Sequence, residues 1–211
     1  MRKLLLFGWL LLPVGAGAYH FGPGQVDVRT DRASVAARDA EAIAAEARAI
    51  AARDGDDAAR GTWAAASEAY EVALQELPAG NEAQSRALRL ELAKARMFIS
   101  QLPEAHRDLI SLVDELEEDA SADPKLLAES RGALANAQYY RTWLMRLEGA
   151  PRDEWEPEIE ASRQNYRLVA ETAVQSGDVE VARASVADVE AAVRLARMDI
   201  SDLQGLPLPS Q

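Results

Sequence analysis

The chain has 211 residues, enough for one ordinary domain; 48% of them are hydrophobic, but only three Phe, four Trp and five Tyr supply bulky aromatic volume, so the chain implies closely packed, alanine-rich helices. Its 35 Asp and Glu against 23 Lys and Arg give a net charge of −12, and the arginines alternate with acids instead of clustering, which argues against nucleic-acid binding. Cysteine is absent, which excludes disulfides, thiolate metal sites, a cysteine nucleophile and a lipidated cysteine.

Residues 1–18, MRKLLLFGWLLLPVGAGA, begin with Arg2 and Lys3, continue as an apolar run from Leu4 to Leu12, and end in Pro13 and the small residues Ala16-Gly17-Ala18. That order matches a signal peptide cleaved after Ala18, which makes the protein exported, periplasmic or secreted. The apolar run is shorter than the roughly 20 residues a span needs; the alternative is an uncleaved segment that anchors the chain in the inner membrane. Residues 19–30 start with Tyr19, His20 and Phe21 and then Gly22-Pro23-Gly24, a combination that breaks regular structure and predicts an extended arm.

From Asp31 to Asp202 the apolar residues recur at helical spacing, with no alternating β-branched run, so the expected fold class is all-α. A first helix carries Ala36, Ala40, Ile43, Ala47 and Ile50 on one stripe and stops at Asp54-Gly55-Asp56-Asp57; a second runs from about Ala58 to Leu77. Asn81 and Gln84 read as a capping box for a third helix with Leu88, Leu92, Ala95 and Ile99 on one face. Pro103 suits the first turn of a fourth, whose stripe is Ala105, Leu109, Leu112, Val113 and Leu116. Asp123-Pro124 opens a fifth, with Leu127, Leu134, Ala137, Leu144 and Leu147 inward and Gly149 as its stop. A sixth spans about Glu154 to Gln175 and closes on Gly177; Asp178 then caps a seventh, striped by Val179, Ala182, Val186, Val189, Val193 and Ala196. Residues 203–211 end in GLPLPSQ, too rich in Pro and Gly to fold, and are expected to form a disordered tail.

The stretch Gly61 to Pro78, GTWAAASEAYEVALQELP, resembles the second half of a tetratricopeptide repeat. In that resemblance Gly61 falls at the inter-helix turn, Trp63 at the aromatic position after it, Ala66 at the small position where helices touch and Tyr70 at the large one; Ala73, Leu74 and Pro78 complete the pattern. Leu102 and Ala105, and later Gly177, Val179 and Ala182, repeat it more loosely, with Trp63, Leu102 and Val179 separated by 39 and 77 residues. The resemblance implies a right-handed α-solenoid, a tetratricopeptide-like stack of about seven antiparallel helices over residues 31–202. It also implies a protein or peptide partner held on the concave face.

Candidates for chemistry are few. His20 and His106 are the two histidines, and no HExxH, nucleophile elbow or phosphate-binding glycine loop occurs, so neither a metal nor a cofactor is expected and no catalytic residue is assigned. Glu156, Glu158 and Glu160 beside Trp155 are the nearest approach to paired carboxylates, the basis of an alternative reading as an exported glycan-acting enzyme. Tyr139, Tyr140, Trp143 and Trp155, flanked by Arg141 and Arg146, form the densest aromatic set and the expected partner-binding cluster. A third reading is a self-associating structural protein, with the alanine-rich first and last helices pairing between copies as a homo-oligomer.

Overall fold

A computed structural model describes residues 23–204 and contains eight helices: α1 Pro23–Asp54, α2 Asp56–Glu76, α3 Glu82–Met97, α4 Leu102–Glu118, α5 Pro124–Leu147, α6 Arg152–Ser176, α7 Val179–Arg197 and α8 Ile200–Gln204. No strand occurs among the described residues, each helix from α1 to α6 packs on the next and α8 packs on α5, so the protein is an all-α helical stack. The signal segment, the cleavage position after Ala18, residues 19–22 of the arm and residues 205–211 of the tail lie outside the described residues.

The first half of the stack is built on alanine. Ala40, Ala44 and Ala47 of α1 and Ala59, Ala66 and Ala73 of α2 are all 0–1% exposed and share one cluster, which lets two backbones approach closely with little side-chain entropy lost. Trp63 and Tyr70 supply the bulk, and Trp63 stacks on Phe98 with ring centroids 4.3 Å apart and planes 6° from parallel. Burial pushes the Tyr70 hydroxyl up to about 12.

Helix α3 joins this cluster to the next. Its Leu88, Leu92 and Ala95 face the α1–α2 cluster, while Leu90, Ala93 and Met97 enter a second one with Leu109, Leu112 and Leu116 of α4 and Leu134 of α5. Arg96 of α3 bonds Glu71 of α2 at 2.7 Å and Asp108 of α4 at 2.5 Å, linking three helices through one guanidinium. Three acids at the end of α4 are paired in the same manner: Arg86 reaches Glu115 and Asp119, Arg89 reaches Glu115, and Arg131 reaches Glu117. The Ser121 hydroxyl and Arg86 together hold the Asp119 carboxyl down at about 2.

Several expectations are corrected. Helix α1 begins at Pro23, so residues 23–30 are helical and not an extended arm; a proline at the start of a helix forfeits no bond, and Arg29 donates to the Gln75 carbonyl of α2 at 3.2 Å. Asn81 makes no side-chain cap and instead donates back to the Pro78 carbonyl at 3.1 Å. Leu203 is 1% exposed within α8, so the ordered structure runs past Asp202. In α7 the predicted stripe is turned: Ser185, Ala192 and Leu195 are buried, while Val179 and Val186 are 65% and 52% exposed, because among the described residues no further helix covers that side of the last long helix.

The turn glycine expected at position 61 lies elsewhere too. The α1–α2 turn is Gly55 alone, at φ 92° and ψ 165°, a conformation that only glycine adopts without strain, whereas Gly61 lies inside α2 with open space around it. Trp63, Ala66, Tyr70, Ala73, Pro78, Leu102 and Ala105 are buried, with Leu74 and Ala182 partly so, and Gly177 at φ 78° closes α6 without itself being packed. Gly61→Ala is therefore expected to raise stability by about 0.5–1 kcal/mol in urea denaturation, and Gly55→Ala to lower it by at least as much. A destabilising Gly61→Ala would restore the turn to position 61.

Candidate functional site

The aromatic set on α5 and in the first turn of α6 is mostly interior. Tyr140 and Trp143 are 4% exposed, Trp155 is 9% and Arg146 is 8%, so these four are core residues and not a displayed partner-binding surface. The reason is topological: α5 has neighbours on several sides, packing on α3, α4, α6, α7 and α8. Tyr139 is half-buried, edge-on to Tyr140 at 6.4 Å and tilted against Trp143 at 6.3 Å. Arg146 lies 4.7 Å over the Trp155 ring and donates to the carbonyls of Leu195 and Met198, clasping the end of α7 and the approach to α8. Burial lowers its pKa without removing its charge.

What α5 leaves outside is a groove of about 750 Å³. Its floor is apolar: Met97, Phe98 and Leu102 come from the α3–α4 corner, and Tyr140, Leu144 and Met145 from the second half of α5. Leu144, expected inward, is 39% exposed here. The rim is charged, with Asp56, Asp57 and Arg60 from the first turns of α2 and with Arg141 and Glu148 from α5. At the corner, Ser100 holds φ 65°, the one non-glycine residue with positive φ among the described residues.

Behind Arg141 lies a polar contact that sequence reasoning missed. His106 of α4 is 5% exposed; its Nδ1 lies 3.1 Å from an Arg141 guanidinium nitrogen and its Nε2 lies 3.2 Å from Glu158 Oε2 of α6. An arginine can only donate, so Nδ1 is the acceptor and the ring proton belongs on Nε2, facing the carboxylate. Nε2 and Oε2 are close but not aligned as a hydrogen bond, which leaves both buried atoms without a good partner. His106, and Arg141 at 3.6 Å, hold the Glu158 carboxyl below its usual range against the opposing effect of burial. Asp108, two positions after His106, is bonded to Arg96, and the carboxylate that faces the ring is on a helix 52 positions later.

The carboxylates do not form a facing pair. Glu156 bonds Arg152 at 2.5 Å and Glu160 bonds Arg163, both on the exposed side of α6, while Glu158 alone turns inward. Among the described residues no cluster of three or more metal-ligating side chains occurs, and no helix is long and apolar enough to cross a membrane. No family model, curated protein or solved structure matches this chain.

Glu158 gives the site a pH signature. Its folded pKa lies below the ordinary 4.5, so its stabilisation is present above that value and is lost as pH falls through the lowered folded one. In denaturant titrations across the acid range, Glu158→Gln should be less stable than the wild-type protein near neutrality, with the gap closing on acidification. A gap independent of pH would contradict a charged Glu158.

Proposed function

We propose that the protein is an exported, tetratricopeptide-like interaction module, an adaptor or assembly factor without chemistry of its own, that binds a segment of a partner protein in the groove between α2, the α3–α4 corner and α5. The observation that carries this reading is the apolar floor left open beside a closed core, with Leu144 exposed and the half-buried Met145 thioether able to adapt to the shape of an occupant. Export rests on the order of charge, apolar run and small residues within residues 1–18. The repeat likeness rests on the buried set Trp63, Ala66, Tyr70 and Ala73.

Against the glycan-acting alternative stand the arginine pairings of Glu156 and Glu160 and the lowered pKa of Glu158, since a general acid needs a raised one. Self-association keeps a specific observation in its favour: Val174 of α6 and Val179 and Val186, on one face of α7, are 52–70% exposed at the end of the stack.

Leu144→Glu separates these readings. Leu144 is exposed enough for the variant to fold, so its melting temperature should stay near that of the parent while partner recovery, in affinity capture from the exported fraction, falls about tenfold or more as a charge enters the apolar floor. Equal recovery by both proteins would exclude the groove, and a concentration-dependent mass without any partner would favour self-association.

A further inference from the structure

The groove's rim is not electrically neutral in effect. Both of its arginines are engaged: Arg60 pairs with Asp57 at 2.5 Å, and Arg141 faces His106 and Glu158. Asp56 and Glu148, from different helices, are exposed and have no cationic partner among the described residues. Glu148 also stands at the C-cap of α5, where the helix dipole is negative, so backbone and side chain add there. The slot is therefore apolar below and negative where its charge is open, on a chain whose net charge is already −12.

We propose that the occupant is a partner-protein segment in which two or three apolar side chains adjoin a lysine or arginine. This rests on the interaction-module reading. The apolar side chains cover Phe98, Leu144 and Met145 and remove that surface from water, which supplies the affinity. The cation reaches Asp56 or Glu148 and supplies the choice of sequence, while an acidic segment meets repulsion from both carboxylates.

The test is selection of a displayed library of random twelve-residue peptides on the full chain, with counter-selection on Leu144→Glu. Sequences that depend on Leu144 should carry Lys or Arg beside apolar residues. A synthetic peptide from that set should bind the double variant Asp56→Asn, Glu148→Gln about three- to tenfold more weakly, a difference that shrinks in high salt. If the Leu144-dependent sequences are neutral or acidic, or ignore the double variant, the cation preference is overturned and the groove reading stands. If no sequence depends on Leu144, both fall. Binding seen only after residues 205–211 are removed would assign the groove to the chain's own tail, and a dimer abolished by Leu144→Glu would assign it to a second copy; either result overturns the proposal.

Discussion

Helix α5 packs against α3, α4, α6, α7 and α8, and the arrangement of the second half of the protein depends on how it fills those contacts. Small residues make this possible: Ala133, Ala135 and Ala137 are buried at 0–9% exposure, so neighbouring helices approach its backbone directly. The Ser162 hydroxyl of α6 donates to the Ala135 carbonyl at 2.7 Å, and Asn165 donates to Gln138 at 3.0 Å, which fixes the register of that seam with polar bonds. One turn further on, large residues replace small ones, and Trp143 and Trp155 gather Ile159, Ala192, Leu195 and Leu203 into a third cluster. Arg146 closes this end. It serves as a donor where the last turn of α7 leaves carbonyls without helical partners, and its guanidinium is stacked on Trp155, not paired with a carboxylate.

The groove is a consequence of the same packing. Tyr140, itself a core residue, and Met145, next to the buried Arg146, reach its floor, and Trp63, by stacking on Phe98, sets the wall contributed by the α3–α4 corner. Trp63 thus acts on the site indirectly, through the ring it orders. Arg141 has a comparable double position, lining the groove on one side and facing His106 and Glu158 on the other, so that α4, α5 and α6 all bear on one rim cation.

Periodicity made most of the fold legible. The stripes Ala105, Leu109, Leu112, Val113 and Leu116 of α4 and Leu88, Leu92 and Ala95 of α3 are buried because each faces a single direction for several turns, and that is what spacing encodes. It was less informative where burial depends on which neighbours exist. Val179 and Val186 keep helical spacing but face open solvent at the end of the stack, and Leu90 and Met97 are buried because α3 has a second neighbour on its other side. The site was barely legible. Its residues come from α2, the α3–α4 corner and α5, and neither Leu144 nor Asp56 differs locally from a core leucine or a helix-start aspartate. The aromatic richness of Tyr139 to Trp155 was visible, but bulk alone does not separate an interface from a core; that depends on the number of helices around α5.

Native-state hydrogen exchange, resolved by residue, tests the central place of α5 most directly. With five packing partners and few exposed side chains, the amides from Ala133 to Arg146 should open only in global unfolding and be the slowest in the protein, while those of α7 near Val179 to Val186 exchange through local fraying. Exchange of α5 as fast as that of α7, or slowest exchange confined to α1 and α2, would contradict an architecture organised around α5.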